Sequence, residues 1–347
     1  MGVTEPQALF ISQTNIRNGK GGSPLSKGYL YMTAESINSQ IIPKAKVIIG
    51  EVKKAVIGKD DIIIKTLMAI AARGHILLDD IPGVGKTTMA VAFSKAMSLD
   101  YKRMQFTPDV MPADVTGFNI YNKQTGRFEY KEGAAVCSLF LADEINRTSS
   151  RTQSALLEVM EEGAVTVDGV TRVLPDPYIV IATQNPIGSV GTQSLPESQL
   201  DRFIIRLSMG YPDLDSEISI LKAKGVSAEG VVPVASRQDI VMLRNAADDV
   251  YADDKIYRYI ATISAATRED PRIKLGLSPR GTVALASMAK ASALLHGRDY
   301  VIPDDVKYIF KDVAAHRIIL TAKARACGSE VPAVLDDIVA SVPAPKL

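Results

Sequence analysis

The chain is poor in cysteine, in net charge and in long apolar runs, and each shortage excludes something. Cys137 and Cys327 are its only cysteines, far apart and without C-x-x-C spacing, so neither a disulfide framework nor a cysteine zinc site is indicated. Each reads as a small apolar core residue, and a reducing cytoplasm fits best. The 40 basic and 39 acidic residues leave a net charge of +1. A dedicated nucleic-acid binder needs a basic excess or stripe for its phosphate contacts, so the balance argues against that class. No apolar run approaches the roughly 18 residues of a membrane span, and the N-terminus lacks the apolar stretch and cleavage site of a signal peptide. The three histidines, His75, His296 and His316, show no metal or nucleophile spacing and are assigned structural roles.

What is present is an ordinary globular composition, 46% hydrophobic and 23% charged, which excludes a disordered chain. At 347 residues it can form two domains, or one domain with a lid. Residues 1–31 include "NIRNGKGGSPLSKG", rich in Gly, Ser and Lys and without a period. They read as a flexible tail that need not be native, since Met32 can serve as the start; a functional arm is the other reading. The short apolar runs "HILL", "RMQF", "SLFLA", "YIVIAT" and "FIIRLSM" read as buried strands. They alternate with helical patterns such as "KTTMAVAFSKAMS" and "SRTQSALLEVMEEGA", the alternation that builds a parallel sheet with helices on both faces. "VTVDGVTRVLP" predicts a hairpin turning at Asp168-Gly169, and "YNKQTGRFEY" a weaker one. Residues 32–212 are thus expected to be an α/β core with hairpin inserts, 213–235 a linker with its hinge in 225–235, and 236–347 an all-helical lid.

"LLDDIPGVGKTTMA" (77–90) holds most of a phosphate-binding loop, G-x-x-x-x-G-K-[ST], with Asp80 in place of the first glycine. In such a loop backbone N–H groups close around phosphates, the lysine reaches their outer oxygens and the next hydroxyl holds Mg²⁺. Pro82, Gly83, Val84, Gly85, Lys86, Thr87 and Thr88 form the candidate cradle, between a strand and a helix N-terminus where an anion is favoured. Aspartate is one of the few residues other than glycine that tolerate unusual backbone angles, so the loop is expected to work if the Asp80 carboxylate points away from the phosphates. "SLFLADE" is an apolar strand ending in two acids. Asp143 would orient Mg²⁺ through its water shell and Glu144 would polarise an attacking water, the division that phosphoryl transfer requires.

Six further stretches fix the kind of loop protein: "VIGKDD", "RMQFTPDVMPADVTG", "LADEINRTSSRTQSALLEVMEEGAVTVDG", "IATQNPIG", "LPESQLDRFIIRLSMGYPD" and "LSPRGTVALASMAKASALLHGRDYVIPDDVK". From roughly Ser36 onward the chain resembles the MoxR family of AAA+ ATPases. It departs from the family's pattern at Asp80 and in "KEGAAVCSLF", where the family has a Pro-Gly-Pro-like segment. The resemblance implies an AAA+ core with a parallel sheet flanked by helices, then a helical lid. It implies a first-sensor role for Asn185, an arginine finger acting on a neighbour for Arg202 with Arg206 as the alternative, and a second-sensor role for Arg280, bridging lid to γ-phosphate. Val56, Ile57 and Gly58 match the adenine-side segment. The implied function is Mg²⁺-dependent ATP hydrolysis in a homo-oligomeric, six-membered ring that remodels or matures a protein partner, one carrying a von Willebrand factor A domain. Two rivals are a nucleic-acid motor, which would need cations at its hairpin tips where "TVDGVTR" supplies only Arg172, and a nucleotide-gated scaffold with little turnover.

Overall fold

The computed structural model describes residues 34–80, 83–185, 194–222, 225 and 227–346. Among the described residues eleven strands occur in chain order: β1 (Ile76–Asp79), β2 (Tyr101–Gln105), β3 (Gly117–Asn122), β4 (Arg127–Glu132), β5 (Leu139–Asp143), β6 (Ala164–Val167), β7 (Val170–Val173), β8 (Ile179–Gln184), β9 (Ile205–Leu207), β10 (Ile273–Leu275) and β11 (Ile319–Leu320). Five of them form one parallel sheet in the order β2-β5-β8-β1-β9. Alternate residues feed two cores. Ile76, Leu78, Leu139, Leu141, Ile179 and Ile181 pack on one face with the helices Ala34–Ala55 and Lys86–Ala96. Leu77, Phe140, Ala142, Val180 and Ala182 pack on the other with the helix Ser150–Glu162. Both faces being covered is why β1, β5 and β8 read as apolar runs, whereas the edge strand β2, expected to be buried, has no buried residue.

In an open sheet of this kind ligands bind beyond the carboxyl ends of the strands. The ends of β1, β5 and β8 place Asp79, Asp143 and Gln184 at that edge. Both expected hairpins form, β3 with β4 and β6 with β7. Asp168 and Gly169 both take positive φ, 50° and 76°, as a two-residue hairpin turn demands. The hairpins are tied to each other. Asn119 donates to Asp168 at 2.6 Å, and the Arg172 guanidinium lies 3.8 Å from the Tyr130 ring centre. The segment that departs from the family's pattern before β5 is pinned by backbone bonds from Ala134 and Ala135 to Asp114 and Val115.

Beyond β9 the chain is helical, with N-cap side chains such as Ser236, Asp253, Ser278 and Thr321 accepting backbone N–H groups at helix starts. Two features differ from expectation. The 213–235 stretch contains a helix, Leu214–Lys222, and the lid includes the antiparallel pair β10–β11. Neither strand exceeds three residues, too short to show a period of two. Among the described residues no helix is long and apolar enough to cross a membrane. The tail 1–31 lies outside the described residues.

Candidate nucleotide site

The phosphate loop leaves β1 at Asp79 and enters the helix Lys86–Ala96; Pro82 lies outside the described residues. Gly83 and Gly85 have φ of 88° and 97°, with open space or only an ordinary contact where a Cβ would sit, so backbone angle rather than crowding requires glycine. Lys86 is buried and donates to the Asp80 carbonyl at 2.6 Å. Burial pulls its pKa down against the opposing charges of Asp80, Asp143, Asp79 and Glu144. Val84, Thr87 and Thr88 are half-buried beside it. Asp80 does not occupy the left-handed region, so the conformational tolerance expected of it is not used. Its carboxylate accepts the Gly210 N–H at 2.6 Å and the Ser208 hydroxyl at 3.2 Å.

On the adenine-side segment, Gly58 has φ of 71°, and a Cβ there would lie 2.0 Å from Ser216 Oγ, so only glycine allows the helix Leu214–Lys222 this close. The Val56 side chain is in the core and Ile57 is half-buried.

The acids sit at the end of β5. Thr183, fully buried on β8, donates to Asp143 at 2.6 Å and accepts the Glu144 N–H at 2.8 Å. Arg103 of β2 donates to the other Asp143 oxygen through Nη2 at 2.7 Å and Nε at 3.2 Å. Glu144 is left-handed at φ 58°, a strain of roughly 1–2 kcal/mol, and its carboxylate lies along the sheet edge between the ends of β8 and β2. Asn185 Nδ2 donates to it at 2.9 Å, Arg147 at 2.8 Å and Gln105 at 3.4 Å. Burial pushes the Glu144 carboxyl up, but these donors outweigh it and hold it below its ordinary value. Asn146 clamps the Asn185 backbone on both sides, accepting its N–H and donating to its carbonyl.

A second cluster lies at the other end of β1. Arg202 and Arg280 hold opposite oxygens of Glu161, at 2.9 and 2.5 Å, beside a cavity of about 360 Å³ lined by Leu157, Glu158, Glu161, Gln199 and Arg202. His75, just before β1, lies in the same cluster. Its Nδ1 accepts the Val180 N–H and its Nε2 faces the Met160 carbonyl, an arrangement that suits the neutral ring. Burial depresses its pKa to about 4.

A model of the ATPase family associated with various cellular activities matches residues 75–205, and an AAA lid domain model matches 265–338. Chaperone MoxR1 of Mycobacterium tuberculosis is 35% identical over 308 residues, 86% of this chain and 82% of the relative. The chain belongs to the MoxR family of AAA+ ATPases. The uncharacterised YeaC protein of Bacillus subtilis is 48% identical over 299 residues, 86% of this chain and 93% of that one. A crystal structure of a candidate ATPase from Cytophaga hutchinsonii superposes with a TM-score of 0.84 at 37% identity, covering 90% of this chain and 98% of that one.

Within this MoxR-family chain the structure gathers Lys86, Asp143, Glu144 and Asn185 at one edge of the sheet, but not Arg202 or Arg280. Those two sit about 15 Å away along β1, at some 3.3 Å per residue. Arg280, expected to bridge the lid to a γ-phosphate, is docked by the lid onto Glu161. Arg206, the alternative finger, faces Asp79 of its own β1 at 3.6 Å. The two cysteines also part company. Cys137 is buried, its thiol pushed up to about 12, whereas Cys327 is exposed at a helix end, so only the first is a core residue. His296 bonds the Ser292 carbonyl and His316 the Phe203 carbonyl, as structural residues do.

Several residues of the site were given no role from the sequence: Arg103, Gln105, Asn146, Arg147 and Thr183, which lie within the family-like stretches, and Arg317, which does not. Thr183 was readable in principle as a polar residue near the end of an apolar strand. Arg317 was not. Its buried guanidinium bonds the Asp201 carboxylate at 2.7 Å and the carbonyls of Asp201, Phe203, Ile204 and Val313, and so holds the turn that presents Arg202. Arg317→Ala is expected to cost about 3 kcal/mol, because it strands a carboxylate and several carbonyls. Urea unfolding checks this, and a change below about 1 kcal/mol would contradict it.

Proposed function

We propose that the chain hydrolyses ATP with Mg²⁺ inside a ring of like subunits, six by family resemblance, and uses turnover to remodel or mature a protein partner. That partner class, proteins with a von Willebrand factor A domain, rests on the resemblance alone, as does a cytoplasmic location. The observation that carries the reading is Glu144, strained and aimed by Asn185 and Arg147 beside Asp143, at the same sheet edge as Lys86. Gly83, Val84, Gly85, Lys86 and Thr88 would hold phosphates, with Val56, Ile57 and Gly58 near the base. Glu144 would orient and polarise the attacking water, and Asn185 would fix both Glu144 and the γ-phosphate side of the site.

Hard oxygen donors suit Mg²⁺, and the Thr87 hydroxyl and Asp143 supply them. Both Asp143 oxygens already accept protein donors, which favours contact through the ion's water shell. Among the described residues no group of three His, Cys, Asp or Glu could hold a metal alone. Bound there, Mg²⁺ would neutralise charge on the phosphates. Arg202 and Arg280, far from their own Lys86, would serve a neighbour's nucleotide. The nucleic-acid motor loses ground because Arg172 stacks on Tyr130 rather than standing at its hairpin tip.

Steady-state phosphate release tests the reading. The assembled protein is expected to turn over ATP with Mg²⁺ and to stop when the ion is chelated. An assembled protein that binds ATP and releases no phosphate would instead be the nucleotide-gated scaffold.

A further inference from the structure

Asp80 stands where the phosphate-loop pattern has glycine, yet its backbone is ordinary and its side chain is engaged elsewhere. Four of its bonds converge on one buried residue. Its N–H donates to Gln184 of β8, and its carbonyl accepts Lys86 Nζ at 2.6 Å. Its carboxylate accepts the Ser208 hydroxyl and the Gly210 N–H. Ser208 and Gly210 begin the connection that leaves β9 for the helix Leu214–Lys222 and then the lid. Gly210 has φ of 58° with open space around it, so the left-handed angle that aims its N–H at Asp80 is what calls for glycine there. The same connection is pinned twice more: Lys59 donates to the Tyr211 carbonyl at 2.8 Å, and Ser216 lies against Gly58. Met209, between the two residues Asp80 grips, is buried over Gly85 of the phosphate loop.

A nucleotide phosphate would draw Lys86 away from the Asp80 carbonyl it holds at 2.6 Å, because an ammonium bonds a charged oxygen more strongly than a neutral one. We propose that Asp80 is a positioning residue that ties the core-to-lid connection to the phosphate loop, so that the transfer of Lys86 from the Asp80 carbonyl to a nucleotide phosphate is transmitted to Gly210 and the helix beyond it. The proposal rests on the ATPase reading above. Asp80 touches no substrate in this account. It gives the loop a mechanical link that the usual glycine cannot provide, because glycine has no side chain to reach Gly210.

The test is amide hydrogen exchange on the full chain, with and without Mg²⁺ and a slowly hydrolysed ATP analogue, alongside nucleotide titration and turnover. In the wild type, nucleotide is expected to change exchange at residues 208–216. In Asp80→Gly the Gly210 amide should exchange about ten- to a hundredfold faster, the loss of one hydrogen bond to an ionised acceptor. Nucleotide should no longer alter exchange across 208–216. Affinity should stay within several-fold while kcat falls about tenfold or more, a split that simple destabilisation of the loop would not give. Asp80→Asn keeps a carbonyl acceptor for the Gly210 N–H and should restore part of the response. If Asp80→Gly instead keeps the wild-type, nucleotide-dependent exchange, or if wild-type exchange at 208–216 ignores nucleotide, the proposal fails while the ATPase reading stands. A gain in affinity of about 100-fold in Asp80→Gly also overturns it, since the carboxylate would then face the phosphates. A wild type that binds no ATP overturns both.

Discussion

Mixing Lys86→Ala subunits with Arg202→Ala subunits is expected to restore a measurable fraction of the turnover that each variant lacks alone. Arg202 is held by Glu161 at the far end of β1 from Lys86, so it cannot serve the nucleotide of its own chain without leaving that end of the sheet. Lys86→Ala subunits would hold no ATP but still present Arg202; Arg202→Ala subunits would hold ATP but offer no finger. Fingers of this kind are worth about 10³ to 10⁵ in rate, so each pure variant should be nearly silent while some mixed interfaces pair a good site with a good finger. Arg280 shares Glu161 and should behave in the same way. Native mass spectrometry must show both subunits in one assembly. Silence in such mixtures would contradict action in trans by Arg202, and the same mixture made with Arg206→Ala tells whether the other arginine is the finger.

Glu144→Gln is expected to bind ATP within several-fold of the wild type and to turn it over about 10² to 10⁴ times more slowly. The substitution keeps the shape of the side chain and leaves an amide oxygen for Asn185 or Arg147, so the arrangement around Asn185 should survive. What it removes is the negative charge that can polarise a water. Single-turnover phosphate release on saturated protein checks this. A rate within about tenfold of the wild type would mean that Glu144 is a structural residue of the strained turn.

The parts of this site that could be read from residues alone are those encoded locally. Lys86 and Thr87 follow a strand and open a helix, and Asp143 and Glu144 end an apolar run, so order and spacing place them at one edge of the sheet. The strands β1, β5 and β8 were readable because both faces of the sheet are covered there, which leaves no polar alternation, whereas β2, expected to be buried, is a half-exposed edge strand carrying Lys102, Arg103 and Gln105. What could not be read is set by packing between distant segments. Nothing around Arg103 says that β2 will lay it against Asp143, nor around Arg317 that the lid will close over the Asp201–Ile204 turn. Where Arg280 docks could not be read for the same reason. Helical periodicity marks the lid's apolar face but not the part of the core that face meets, and here it meets the end of the helix Ser150–Glu162. Asp80 was visible as an anomaly in the loop, but its meaning lay with Gly210, 130 positions further along the chain.

The central claim, that the edge holding Lys86, Asp143 and Glu144 is an ATP site, is tested most directly by calorimetric titration of Mg²⁺-ATP into the wild type and into Lys86→Ala. Saturable binding is expected for the wild type and none detectable in Lys86→Ala, whose loop would have lost its only lysine. Equal affinity in the two proteins would contradict it.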